Sequence, residues 1–125
     1  MMGVQHPSLA AGRWQTFSLI EQLANIGSEV ERALNWRSKN NPGYSRQAFE
    51  RALELLNFTI ADPRHRRRLK EMTRLREALL DFFLGENEFR SMEQSWRNYF
   101  YSFAYALALE KKKRKGDDLP SLPRR

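Results

Sequence analysis

The 125-residue sequence contains no cysteine. That absence excludes a disulfide framework, a Cys-ligated zinc site and thiol chemistry. Histidine is nearly as scarce, present only as His6 and His65. There is no Gly-rich phosphate loop, no Glu-x-x-His di-metal pattern, no strand-like alternation and no internal repeat. Glu86 and Glu88 stand two apart in a loop stretch with no His beside them. Metal sites need convergent ligands, so both read as solvated acids, and neither a metal nor a cofactor is expected. Long apolar runs are missing too. The richest, Tyr99 to Leu109, spans eleven residues and is interrupted by Ser102, well short of the roughly 20 that a membrane-spanning helix requires. Met1 to Gly12 lacks a basic stretch followed by an apolar core, so no secretory signal is read there. A soluble, cytoplasmic protein with no membrane contact is the expectation.

What the chain does have is periodicity at helical spacing. Met1–Arg13 mixes Gly, Pro, Ser and His without a period and reads as a disordered leader. Thr16 or Ser18 can cap a first helix running to about Ser38, in which Leu19, Leu23, Ile26, Val30 and Ala33 form an apolar stripe. Gly27 in its middle costs about 1 kcal/mol relative to Ala, which points to a close helix approach. Lys39 to Gly43 is a turn signal. A second helix is expected over Ser45–Ala61, capped by Ser45, with a wide apolar face. Asp62-Pro63 then supplies a cap residue and a first-turn proline. The third helix is expected to run from there to Leu84, with Leu69, Met72, Leu75, Leu79, Leu80 and Phe83 inward and Gly85 at its C-cap. Ser91 and Gln94 match a capping box ahead of a fourth helix over Met92–Lys113, striped by Trp96, Phe100, Phe103 and Leu107. Gly116–Arg125, with Pro120 and Pro123, reads as a disordered tail. The sum is an all-α chain, an antiparallel up-down four-helix bundle over residues 14–115 with disordered basic termini.

Net charge is +7, a balance that suits polyanionic partners. It is concentrated in two places. Pro63–Leu84 holds seven basic residues against Glu71, Glu77 and Asp81, and Glu110–Lys115 holds five against one. The first cluster opens with Arg64, Arg66, Arg67 and Arg68 and continues through Lys70 and Arg74. A helix start carries partial positive charge and disfavours arginine, so an anionic partner would relieve the cluster. Arginine forks also pair with phosphate bidentately, and free N–H groups at a helix start point the same way. These residues are therefore candidate nucleic-acid contacts, with Lys111, Lys112, Lys113, Arg114 and Lys115 as a second patch. The competing reading is a solvated charged face. Arg68 borders the apolar arc of this helix and Arg76 lies within it. Since a buried Arg must be paired, a salt bridge to a neighbouring helix or a subunit interface is expected for Arg76.

The fourth helix carries aromatic residues on two sides. Trp96, Phe100 and Phe103 suit the core, whereas Tyr101, Tyr105 and Leu109 project from the opposite side. A helix apolar on both sides is normally covered on both sides. A second copy of the chain would provide that cover; stacking of unpaired bases on the two tyrosines is the alternative.

No constellation of catalytic groups emerges. Ribonucleases of the four-helical nucleotide-binding (HEPN) family set an Arg roughly four to six residues ahead of a His, and neither histidine has an Arg at that spacing. The size, the basic third helix and the Ala24-Asn25-Ile26-Gly27-Ser28-Glu29 stretch resemble another group. This is the small four-helix-bundle family of the ribosomal-RNA intervening-sequence protein and the accessory variability protein of diversity-generating retroelements. That resemblance implies a basic homo-oligomeric barrel that binds nucleic acid and a reverse transcriptase without performing chemistry. The expectation is a non-enzymatic, homo-oligomeric bundle that binds RNA or DNA, with an accessory role beside a nucleic-acid enzyme. An antitoxin-like protein-interaction module with no nucleic-acid contact is the alternative.

Overall fold

A computed structural model of the chain describes residues 12–115; the remainder of the expected leader and the whole of the expected tail lie outside the described residues. Four α-helices follow one another: α1 (Leu19–Ser38), α2 (Pro42–Ala61), α3 (Leu69–Phe83) and α4 (Glu93–Arg114). Two 3-10 segments, Arg13–Thr16 and Pro63–Arg68, lead into α1 and α3. The described residues include no strand, and none of their helices is long and apolar enough to cross a membrane.

α1 is the central element, packing along both α2 and α4, while α3 packs on α2. Its start is fixed by a complete capping box. The Ser18 hydroxyl accepts from Glu21 N and the Glu21 carboxylate accepts from Ser18 N, satisfying two otherwise orphaned donors. Leu23, Ile26, Val30, Ala33 and Leu34 are buried, so the expected stripe does face the core. Gly27 marks the close approach that its position suggested. A Cβ built there would stand 2.7 Å from Phe100 Cβ.

α2 begins earlier than expected. Asn41, not Ser45, caps it, with Oδ1 accepting from Tyr44 N at 3.0 Å. Pro42 then sits in the first turn, where its missing N–H costs nothing. Ser45 is buried instead, and its hydroxyl donates to Ala33 O at 2.9 Å, tying α2 to α1.

The lead-in to α3 is the largest departure. Asp62 does cap the segment, accepting from Arg64 N, but Pro63–Arg68 winds as 3-10 rather than α-helix. His65 breaks the helical run at φ −105°, ψ 23°. This tighter winding turns the apolar arc of α3. Leu69, expected inward, is 41% exposed, whereas Met72, Leu75, Leu79 and Phe82 are the buried row. Phe83 is half-buried and stacks on Phe49 with ring centroids 4.8 Å apart. Past the end of α3, Gly85 N–H donates to Leu80 O and Asp81 O.

The Ser91–Gln94 capping box does not form. Met92 is the residue before α4 and supplies no side-chain cap. The Asn87 amide holds Ser91 through both its backbone groups, and Gln94 donates to Asn98 one turn on. Trp96 and Phe100 are buried, whereas Phe103 and Leu107 are half-buried.

Candidate nucleic-acid interface

The basic segment is organised from its one buried acid. Asp62 is 2% exposed, and a carboxylate at that depth must be paired. Its Oδ2 accepts from Arg64 Nη2 at 2.6 Å and from Gln22 Nε2 at 3.2 Å; its Oδ1 accepts from Arg64 Nε at 3.1 Å. Arg64 Nη2 also donates to Phe17 O at 2.7 Å. The hydrogen-bonded guanidinium holds the Asp62 carboxyl far below the usual carboxylate range, against the opposing pull of burial. Arg64 is thus committed to the fold, holding the start of the basic segment against the chain before α1.

A polar knot surrounds this pair. Gln22, fully buried on α1, also donates to Trp14 O, and the Trp14 indole N–H donates to Thr59 Oγ1 at 3.0 Å. His65, with its side chain 10% exposed, brings Nε2 to 3.4 Å from Asp62 Oδ2. Burial pushes the imidazole pKa below its ordinary value, assisted by Arg64 and Arg68 and opposed by Asp62. Sequence reading missed Trp14, Gln22 and Thr59. The available signals were a tryptophan standing beside the supposed leader and a glutamine inside the apolar rows of α1.

Outside the knot lie the free cations. Arg66, Arg67, Lys70 and Arg74 are exposed, and none has an ion-pair partner among the described residues. Arg68 does not border the apolar side, as its position suggested. It is exposed, and its Nε pairs with Glu71 Oε1 at 2.8 Å. Tyr99 of α4 lies beside that pair; burial, reinforced by the Glu71 charge, pushes its phenol up to about 12. Arg76 is half-buried, as its arc implied, but its partner is neutral: Nε donates to Asn57 Oδ1 of α2 at 2.8 Å. An amide satisfies the geometry there without burying a second charge.

Lys111–Lys115 are all exposed at the end of α4, where the helix dipole favours cations. Counting from Tyr99, Lys111 lies about 18 Å further along the helix, so the lysine patch is separate from the Arg66–Arg74 group. Between the two, Tyr101 and Tyr105 are 67% and 55% exposed, with their rings stacked at 6.2 Å, and Leu109 continues the row. Tyr101 also borders a groove of about 550 Å³ between α1 and α4, floored by Ala24, Gly27 and Ala104. The groove was not foreseen; small residues one turn apart on α1 were its signal. On its rim Arg97 pairs with Glu31 and reaches Asn35 Oδ1 at 3.3 Å.

Among the described residues, the arrangement leaves exposed cations on and before α3 and a near-parallel pair of exposed tyrosine rings on α4. No protein-family model, curated protein or solved structure matches the chain.

Proposed function

We propose that this chain is a non-enzymatic, homo-oligomeric helical bundle that binds RNA or DNA. The observation that carries the reading is the division of labour in the basic segment. Arg64 and Arg68 are held by Asp62 and Glu71, while Arg66, Arg67, Lys70 and Arg74 stand exposed with no ion-pair partner among the described residues. Cations left unpaired at one site contribute little to stability but attract phosphate strongly through counterion release. Lys111, Lys112, Lys113, Arg114 and Lys115 extend the contact to a second stretch of backbone. The four helices run up and down in this reading, with the short 39–41 connection joining antiparallel neighbours. Tyr101, Tyr105 and Leu109 are the surface for a second copy. The bound nucleic acid belongs to a larger reaction in which the bundle is an accessory subunit, of a reverse transcriptase or another nucleic-acid enzyme, in the cytoplasm.

Binding of a fluorescent single strand at several salt concentrations tests this reading. Changing Arg66, Arg67 and Lys70 to Glu is expected to weaken affinity by more than about tenfold. The same change should lower the salt slope by about 0.7 for each phosphate that is no longer neutralised. Unchanged affinity would overturn the reading.

A second reading has its own observation. The groove beside Tyr101, with its Arg97–Glu31 rim, suits a protein helix, which makes the chain an antitoxin-like interaction module without nucleic-acid contact. A stable heteromeric partner in protein that purifies free of nucleic acid would favour it.

A further inference from the structure

The far end of α1 carries a cleft that the basic segment does not explain. It lies where the last turn of α1, the 39–41 turn, the first turns of α2 and the end of α3 meet, and its volume is about 420 Å³. Two arginines, Arg37 and Arg46, line it, together with Phe49, Phe83 and Leu84, and no acidic residue among the described ones does. The volume falls within the range of small-molecule sites.

Arg37 is the unusual member. Its guanidinium lies 4.4 Å from the centre of the Phe82 ring and 5.9 Å from that of Phe83. It is exposed and has no ion-pair partner among the described residues. A guanidinium lying over a ring is held by its face, while its N–H donors point outward in its own plane. Such a group is fixed in place yet unneutralised, so an oxyanion that meets it incurs little ordering cost. Arg46 uses Nε on Glu50 at 3.3 Å, and its two terminal nitrogens have no hydrogen-bond partner among the described residues. The first turn of α2, which also borders the cleft, adds the positive end of a helix dipole. Beside these donors stand the Phe83 ring and the exposed side chain of Leu84.

From this juxtaposition we infer that the cleft binds a nucleoside monophosphate. The phosphate is held between Arg37 and Arg46, and the base lies against Phe83 and Leu84. Two guanidiniums suit a phosphate dianion better than the single charge of a peptide carboxylate. The source is either a free nucleotide or the 5′-phosphorylated end of a strand. The site is distinct from the basic segment, because along α3 even Arg74, the nearest of its cations, precedes the Phe83 of the cleft by about 13 Å.

Calorimetric titration with AMP tests the inference, using full-length protein that carries the Arg66→Glu, Arg67→Glu and Lys70→Glu changes. In that background, weak phosphate binding at the basic segment is removed, so the two sites succeed or fail separately. Saturable AMP binding is expected, with adenosine and inorganic phosphate each weaker by about tenfold or more. Arg37→Ala is expected to weaken AMP by a similar factor. Arg46→Gln, at an exposed position, should weaken it severalfold with an unchanged circular dichroism spectrum, which keeps the test valid if Arg37→Ala loosens the helix end. A 5′-phosphorylated tetranucleotide that binds more tightly than AMP identifies a strand end; equal or weaker binding identifies the free nucleotide. AMP affinity unchanged in both variants, AMP no tighter than adenosine, or an acidic peptide binding where AMP does not would each overturn the inference.

Discussion

Gly27 sets the distance between α1 and α4. Any side chain there must displace Phe100 Cβ, an atom fixed to the α4 backbone rather than the tip of a flexible chain. Alanine gains about 1 kcal/mol of helix propensity over glycine, yet overpacking of a filled interface costs roughly 1–3 kcal/mol. The Gly27→Ala protein is therefore expected to be less stable than wild type by about 1 kcal/mol in urea unfolding. A rise in stability would mean that the helices separate freely and that the groove beside Tyr101 is not a fixed surface. The same scale shows where sequence reasoning succeeds and where it stops. A mid-helix glycine is costly, so a close approach can be inferred from it. Arg76 falls on the half-buried arc as its position implies, but a helical wheel cannot distinguish Asn57 from an acid as its partner. Arg68 lies one residue before a change in helical winding, and there the same wheel misleads.

Among the elements, the four helices are readable because each carries an apolar row at steps of three and four. Their ends are harder. Asn41 and Ser45 are both good caps, and the choice falls to Asn41 because Ser45 is needed by Ala33 O. Ser91 and Gln94 have the right spacing for a box, but Asn87 holds Ser91 first. The 3-10 lead-in to α3 depends on contacts 40 or more residues away in sequence, Gln22 with Asp62 and Phe17 with Arg64, and no local pattern announces it. That segment has a pH dependence of its own. Burial lowers the pKa of His65 in the folded chain, so its contribution is complete above its unfolded pKa of about 6.5 and is lost as the pH falls below that value. Asp62 is held ionised, so its contribution is present above about pH 4 and is lost below it as the pH falls toward its depressed folded value. Unfolding free energy measured against pH should thus decline first below about pH 6.5 and again below about pH 4. The His65→Gln protein should lose only the first decline. Retention of that decline would show that His65 is not buried against Asp62.

At the scale of the whole molecule, charge and apolar surface are distributed unevenly. Exposed cations with no ion-pair partner among the described residues gather before and along α3 and at the end of α4. The largest exposed aromatic pair, Tyr101 and Tyr105, lies on α4 ahead of the lysines. Nothing among the described residues covers either surface, and self-association would cover the aromatic one while multiplying the cationic one. Repeated basic faces on one assembly raise affinity for a strand long enough to touch several of them. The charge clusters and the tyrosines can be read directly from the sequence. The polar knot that fixes the basic segment cannot, because it draws on the Arg13–Thr16 turn, α1, the end of α2 and the segment itself.

Light scattering of the protein, alone and with a short single-stranded oligonucleotide, tests both halves of this proposal at once. The expected result is a mass several times the 14.8 kDa of one chain, raised further by bound strand. A Tyr101→Asp, Tyr105→Asp protein should fold but run as a single chain. A wild-type mass of 14.8 kDa that no oligonucleotide changes would contradict the proposal.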